Sequence, residues 1–212
     1  KDSPSFITVD QQAVRAWFSE YLNWINTHEY GLKEKVHPNN HGVCWSLQAA
    51  AFADLTGNEE IIDWIRAQFK SVYLPVMMDE QGGFPAELKR TKPYGYSLFM
   101  IDVMAGVAQI VSTKDEDLWQ FVTPNGRGMK KGMEFIFPYI VDKEKWPYEP
   151  DVMYWEEWPV RHPGLLFSGM RMNQIAYLKV WEKLEPDPKT YEVLRNLPLR
   201  HPLLWVSYLG NE

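Results

Sequence analysis

The chain has 212 residues, of which 45% are hydrophobic and 24% charged, so it is long and apolar enough to bury the core of one domain. Its net charge of −6 argues against a general nucleic-acid-binding surface, and its single cysteine, Cys44, excludes an intrachain disulfide. Aromatic residues make up 15% of the chain, which is typical of a packed core and also of proteins that stack on sugar rings.

Helical patterns dominate the first half of the chain. Apolar residues recur at helical spacing over 11–29 and again over 59–77, with charged residues on the opposite side, which predicts two amphipathic helices. Between them, 42–56 predicts an almost uncharged helix that stops at Gly57. A loop rich in glycine and proline then leads to a second apolar helix over 93–112, which starts with a proline, a residue favoured in the first helical turn.

The second half of the chain predicts shorter helices and one long connection. That connection, 142–164, is rich in proline and aromatic residues. No strand pattern is strong enough to build a sheet, and no long uncharged apolar window has the flanks of a membrane span. The further helices are predicted near 115–122, 129–141, 169–184 and 188–196.

The alternation of amphipathic and apolar helices predicts the architecture. A helix that is apolar all round must be covered on every side, whereas an amphipathic helix needs cover on one face only. Two layers of antiparallel helix hairpins, with the apolar helices inside, meet both needs. We therefore expect residues 1–212 to form a single all-α domain with an (α/α)-toroid architecture, open or partial at this length. A solenoid of helix pairs would alternate in the same way.

Polar side chains stand at the start of the apolar helix 42–56. Asn39, Asn40 and His41 lie where free backbone N–H groups and the helix dipole favour negative charge, which disfavours an imidazolium and suits a proton acceptor. Trp45 and Gln48 follow His41 at helical spacing and share its face, as a sugar-binding cleft would require. The alternative is that the asparagines only cap the helix and that His41 is structural.

A second polar group stands at the start of the apolar helix 93–112. It consists of Arg90, Lys92, Tyr94 and Tyr96, and a guanidinium close to a phenol favours the phenolate. If neighbouring inner helices run the same way, both polar groups face one cleft. The alternative is that Arg90 is an ordinary surface residue and that Tyr96 is a core tyrosine.

These side chains suit β-elimination on a uronate. Asn40 and Arg90 can neutralise the sugar carboxylate, so that the proton beside it can be removed, and His41 and Tyr96 can act as base and acid. No cofactor is predicted, and we expect no metal cluster, because Pro38 lies between His37 and His41 and no helix would present the two rings together.

Three segments carry a family resemblance. The segment "NNHGVCWSLQAAAFADLTGN" resembles the Asn-Asn-His-Gly signature of the alginate lyase superfamily of polysaccharide lyases, "ELKRTKPYGYSLF" is similar to its second signature, and "RNLPLRHPLLW" is similar to its closing segment. The resemblance covers roughly residues 10 to 205, which correspond to the later part of the family. It departs from many relatives at Val43 and Cys44, which puts the sugar preference in question.

The resemblance implies an α/α toroid that cleaves alginate- or glucuronan-type polysaccharides. It implies that Asn40 and Arg90 neutralise the carboxylate and that His41 and Tyr96 serve as base and acid, with Tyr96 able to do both when proton and leaving group are syn. The predicted substrate ligands are Asn39, Trp45, Gln48, Lys92, Tyr94 and Arg161. The expected partner is an acidic polysaccharide, with no nucleic acid and no membrane span, and the expected location is the periplasm or the outside of the cell.

Two other functions stay open. Glu156 and Glu157 could form the carboxylate pair of an inverting glycoside hydrolase, although adjacent residues in an extended segment point to opposite faces. Arg161 beside them could equally form a salt bridge within the connection. A non-catalytic module that binds acidic glycans would need only the aromatic residues.

Overall fold

The computed structural model describes residues 5–206, and the regular elements in that range are helices. The one β-type contact among them is an isolated bridge between Val160 and Glu185. The fold is therefore all-α, as the sequence predicts. The α-helices are α1 (Thr8–Thr27), α2 (Glu29–Lys35), α3 (Asn40–Thr56), α4 (Glu59–Gln68), α5 (Pro85–Leu88), α6 (Pro93–Val111), α7 (Met129–Val141), α8 (Pro163–Arg171), α9 (Ile175–Lys183), α10 (Tyr191–Arg195) and α11 (Leu203–Val206). A π-helix (Phe69–Met77) continues α4, and two 3-10 turns lie at Lys143–Lys145 and Trp155–Glu157.

Helices α3 and α6 form the inside of the fold. They pack along each other, with α1, α2 and α4 against α3 and with α5, α7 and α8 against α6. Helix α1 is amphipathic and buries few side chains, among them Leu22 and Ile25, whereas α6 is buried along most of its length. The layering predicted from the alternation of charge is confirmed for these helices, because each uncharged helix is covered and each amphipathic helix turns one face outward.

Helix α6 has the length and composition of a membrane span, with a mean hydropathy of 1.4 over its most apolar window. However, 78% of that window is buried against other parts of the fold. Packing within the fold therefore accounts for its apolar character.

The predicted helix boundaries of the first half are largely confirmed. Gly57 ends α3 in the left-handed conformation, with φ of 76°, and Pro93 occupies the first turn of α6. The predicted helix 59–77 is continuous but changes into the π-helix at Phe69. Pro75 lies in that wider segment, where its missing N–H cannot serve the helical hydrogen-bond ladder.

Two of the helices predicted in the second half differ in the structure. Residues 115–122 form turns and not a helix, because the side chains of Ser112 and Asp117 accept hydrogen bonds from the backbone N–H groups of Leu118 and Trp119. The predicted helix 169–184 is interrupted: α8 ends at Arg171 and α9 starts at Ile175, with Asn173 at a φ of 53° between them.

Other boundaries also differ. The predicted connection 142–164 ends two residues early, because Pro163 starts α8. The predicted helix 188–196 is confirmed only for its central part, α10, and the short helices α2 and α5 were not predicted as separate elements.

Two buried carboxylates fix α6 to its neighbours. Asp151, from the long connection, accepts hydrogen bonds from the N–H groups of Tyr94 (2.8 Å) and Gly95 (2.9 Å) at the helix start. In the middle of α6, Asp102 binds Nδ1 of His162 at 2.7 Å and the N–H of Gly164 at 2.9 Å. The two carboxylates thereby hold α6 to the long connection and to the start of α8.

Candidate active site

A groove of about 430 Å³ opens where the starts of α3 and α6 meet. Its wall also includes side chains from α1 and α2, the segment that follows α5, and the end of α10. Members of both polar groups predicted from the sequence therefore face one groove. Its remaining wall includes the aromatic side chains of Tyr21, Trp24, Tyr30, Trp45 and Phe99.

The start of α3 is shaped by local hydrogen bonds. The Asn39 side chain accepts the N–H of His41 at 3.0 Å and so caps the helix. Gly42 is required next to them, because a Cβ at that position would lie 2.4 Å from the carbonyl oxygen of His37. This close turn directs Asn40 and His41 to the groove.

A carboxylate orients the His41 ring. Nδ1 of His41 lies 2.7 Å from Oε2 of Glu34, and both side chains are about half exposed. When Nδ1–H donates to Glu34, the lone pair of the neutral ring is on Nε2. The ring also stacks on His37 at 4.9 Å, although, as the sequence predicts, no helix contains both histidines. The turn before α3 brings them together without a shared helix.

The second polar group joins a guanidinium to a phenol. The Arg90 guanidinium carbon lies 3.5 Å from the centre of the Tyr96 ring, and Nζ of Lys92 lies 5.2 Å from the same centre. Two cations therefore lie near the same phenol ring. Arg90 also donates from Nη1 to Oε2 of Glu87 at 3.1 Å.

Glu87 connects the two helix starts. Its carboxylate is fully buried, and Oε1 accepts the Asn40 N–H at 2.7 Å, while Oε2 accepts the Asn40 side-chain amide at 2.9 Å and Nη1 of Arg90 at 3.1 Å. One carboxylate therefore binds Asn40 from α3 and Arg90 from the segment before α6.

Six of the ten predicted site residues line this groove. They are Asn40, His41, Trp45, Gln48, Arg90 and Tyr96. The structure gives their positions, and their predicted chemical roles stay predictions.

Tyr94 and Arg161, which were predicted to bind substrate, do not line this groove. Tyr94 is fully buried and donates its hydroxyl to the carbonyl of Tyr139, and burial raises the pKa of that phenol. Arg161 lies in a separate groove, where its guanidinium donates to the carbonyl oxygens of Glu182 and Leu184. Both side chains donate hydrogen bonds to backbone carbonyl groups of the fold.

Asn39 and Lys92, which were also predicted to bind substrate, do not line the groove either. Asn39 caps α3. Lys92 has a side chain that is only 11% exposed, and it forms an ion pair with Glu192. Its Nζ lies 5.2 Å from the centre of the Tyr96 ring.

Several groove residues were missed by the sequence analysis. Arg195, at the end of α10, lines the groove and forms an ion pair with Glu192 at 2.8 Å. Burial opposes ionisation of Glu192, yet its hydrogen bonds to Lys92 and Arg195 lower its pKa overall. Three aromatic groove residues were also not predicted, namely Tyr21, Trp24 and Tyr30. Sequence alone does not distinguish an aromatic side chain that faces a groove from one that packs in the core.

The groove offers little support for two other chemistries. Burial raises the pKa of the Cys44 thiol, which disfavours a nucleophilic thiolate. Glu156 and Glu157 lie outside the groove wall, where Glu156 approaches Lys143 and Glu157 accepts a hydrogen bond from Thr190. Within residues 5–206, no three His, Cys, Asp or Glu side chains are grouped as metal ligands.

Comparison with known proteins finds alginate lyases by family model, by sequence and by structure. A family model described as "Alginate lyase" matches residues 1–146. An alginate lyase from Pseudomonas entomophila (strain L48) is 31% identical over 114 residues, which cover 53% of this chain and 27% of that protein. The crystal structure of an alginate lyase from Bacteroides ovatus superposes with a TM-score of 0.77 and 23% identity over 93% of this chain and 52% of that one. The chain thus spans about half of the solved relative and matches about a quarter of the curated one.

Proposed function

This chain belongs to the alginate lyase family, and we propose that it cleaves a uronic-acid polysaccharide, of alginate or glucuronan type, by β-elimination. The observation that carries the proposal is the convergence of His41, Arg90, Tyr96 and Asn40 on one groove. These four side chains supply a base, an acid and two groups that can bind a carboxylate.

Elimination from a uronate needs three things at one sugar ring. The proton on C5 is removed, the electron pair forms the C4–C5 double bond, and the C4–O4 bond breaks as the leaving oxygen is protonated. Negative charge develops on the sugar carboxylate when the C5 proton leaves. Groups that hydrogen-bond that carboxylate therefore stabilise the transition state more than the ground state.

We assign the neutralising role to Arg90 and Asn40. Nη1 of Arg90 donates a hydrogen bond to Glu87, and the other N–H groups of the guanidinium can bind the substrate carboxylate. Asn40 donates one amide hydrogen to Glu87, which leaves the second for substrate. Both groups are held before substrate arrives, so little reorganisation is needed during the reaction.

We assign the proton transfers to His41 and Tyr96. Glu34 orients the His41 ring so that Nε2 can accept a proton, and the Arg90 guanidinium lies over the ring of Tyr96, whose hydroxyl can donate a proton or, once deprotonated, accept one. When the C5 proton and the leaving group are on the same side of the ring, Tyr96 can serve as both base and acid. When they are on opposite sides, His41 is the base and Tyr96 the acid.

The aromatic wall supports a sugar substrate. Trp24 is 43% exposed and Tyr30 is 64% exposed, and both line the groove beside Gln48. Exposed rings of this kind can stack on the apolar faces of pyranoses, while an amide binds their hydroxyls. Val43 and Cys44 replace the residues that many relatives carry after His-Gly, so the preferred uronate is a question for the assay.

We further propose that residues 1–212 form one open (α/α)-toroid domain that corresponds to the later part of the family's catalytic domain. The layered helices and the superposition on the solved alginate lyase support this arrangement. We propose a periplasmic or extracellular location, since a polymeric substrate is too large to enter a cell freely.

The test is an assay on alginate, polymannuronate, polyguluronate, glucuronan and a glycosaminoglycan, followed by the ultraviolet absorbance of the new C4–C5 double bond. We expect absorbance to rise with at least one polymer. Tyr96→Phe and Asn40→Ala should lose turnover while they retain polymer binding. Tyr94→Phe is the matched control, because it removes a buried tyrosine hydroxyl two residues away that does not face the groove.

Two results would contradict the proposal. New reducing ends without the absorbance would indicate a hydrolase. Binding of the polymers without any cleavage, unaffected by Tyr96→Phe, would indicate a non-catalytic glycan-binding module.

A further inference from the structure

We propose that Glu87 is a positioning residue that fixes the relative geometry of Asn40, Arg90 and Tyr96. This inference rests on the proposed function, because it assigns Glu87 to the same reaction. Glu87 does not line the groove, and it acts through side chains that do.

The hydrogen bonds of Glu87 are divided between backbone and side chains. Oε1 accepts the N–H of Asn40, one of the free N–H groups at the start of α3. Oε2 accepts the side-chain amide of the same residue and Nη1 of Arg90. Asn40 is thereby held at two points, its backbone N–H and its side-chain amide, which fixes the position of the residue and the direction of its amide nitrogen.

The contact with Arg90 extends this control to Tyr96. The guanidinium is tied at one edge to Oε2 of Glu87, and its carbon lies 3.5 Å from the centre of the Tyr96 ring. The Arg90 side chain is 30% exposed, so without this tie a long and flexible chain could leave the ring for solvent. Glu87 thus keeps the cation beside the phenol that we assign to proton transfer.

The charge of Glu87 is part of this role. A buried carboxylate without partners is costly, and these three donors offset that cost. A neutral glutamine keeps one acceptor oxygen but replaces the other with an NH₂ group. In either orientation of the glutamine, that group would face a donor, either the Asn40 N–H or both the Asn40 amide and Arg90, so the contacts that hold Asn40 and Arg90 would have to rearrange.

Asp102 provides a matched control for a purely structural role. It is also a buried carboxylate, and it also joins two elements through both oxygens, but its partners His162 and Gly164 do not line the groove. Removal of its charge should weaken packing without any change at the groove.

The experiment compares Glu87→Gln, Glu87→Asp and Asp102→Asn with the wild type in kcat, KM, thermal stability and crystal structure. We expect Glu87→Gln to lower kcat roughly 100-fold, with a smaller rise in KM, because displacement of pre-positioned groups by about 1 Å costs this much. Glu87→Asp keeps the charge and should recover part of kcat. Asp102→Asn should lose stability but keep the wild-type kcat.

Two outcomes would overturn the inference. One is an equal loss of stability in Glu87→Gln and Asp102→Asn with kcat unchanged in both, which would make Glu87 a structural residue only. The other is a crystal structure of Glu87→Gln, or of Glu87→Asp if the former does not fold, in which Asn40 and Arg90 keep their wild-type positions. The crystal structures test the positioning separately from the activity. If the wild type cleaves no uronate polymer, the proposed function fails, while movement of Asn40 and Arg90 in the variant would still support the positioning role.

Discussion

The contact between Glu34 and His41 allows a sharp test of the proposed base. Replacement of Glu34 by alanine removes the acceptor of the Nδ1 proton, so the ring can rotate and the neutral tautomer with its lone pair on Nε2 is no longer favoured. Glu34→Gln removes the charge but keeps an oxygen that can accept the same hydrogen bond. The two variants therefore separate orientation from charge.

The size of the effect follows from the geometry. A hydrogen bond to a charged group is worth about 1.5–3 kcal/mol, and the 2.7 Å contact is short. Because the two side chains are 45% and 44% exposed, solvent reduces this to about 1–2 kcal/mol. At 1.36 kcal/mol per factor of ten, we expect Glu34→Ala to lower kcat roughly 5- to 30-fold and Glu34→Gln by less.

The assay is initial-rate kinetics on the preferred polymer, followed by the absorbance of the unsaturated product. Glu29→Gln is the control, because Glu29 lies on the same helix and carries the same charge but does not line the groove. An unchanged kcat in Glu34→Ala would show that His41 does not act as a base oriented by Glu34. A loss in Glu29→Gln as large as that in Glu34→Ala would assign the effect to the net charge of α2.

Three further predictions concern stability, pH dependence and binding. Ser46→Ala should lower the free energy of unfolding by about 1–3 kcal/mol in urea, because the Tyr73 hydroxyl, 2.5 Å from Ser46 Oγ, would stay buried without its partner. Glu192→Gln should be less stable than the wild type at neutral pH. The partners of Glu192 lower its pKa below the ordinary value of 4.5, so the stability difference between wild type and variant should persist at pH values above 4.5. In acid-unfolding measurements the difference should shrink as the pH falls through the pKa of Glu192 in the folded state. If the Trp24 ring stacks on a sugar, a contact worth about 1 kcal/mol, Trp24→Ala should raise KM roughly five-fold and leave kcat unchanged. Tyr191→Ala is the control, because it removes an exposed ring that does not line the groove, and it should leave KM unchanged.

Several helix boundaries could be predicted from the sequence because their causes are local. Gly57 ends α3 and Pro93 begins α6 for conformational reasons that act within one turn. Asn39 caps α3 in the same local way, and its side chain is therefore not on the groove wall. The helix predicted over 115–122 failed for a related reason, since short polar side chains there bind the backbone and compete with helical hydrogen bonds.

The site could be predicted only in part because its organising residues act across the fold. Glu87 is 47 positions from Asn40, and no periodic pattern connects the two. Arg161 was predicted to bind substrate because of its charge, but in the structure its guanidinium donates hydrogen bonds to backbone carbonyl groups. Tyr94 lies two residues from Tyr96, but the turn of the helix buries one ring and turns the other to the groove.

The proposed substrate is an acidic polymer, although the chain has a net charge of −6, and the carboxylates around the groove offer an explanation. Glu87 pairs with Arg90, and Glu192 pairs with Lys92 and Arg195, so each cation near Tyr96 is tied to an acid, and the Lys92–Glu192 pair joins two elements. Long-range attraction of a polyanion is weak under these conditions, because each pair is nearly neutral beyond about one Debye length, roughly 10 Å. At contact distance the orientation of each donor matters more than the summed charge. Recognition then depends on donors fixed in place, and the acids that fix them are as necessary to the site as the residues that touch the sugar.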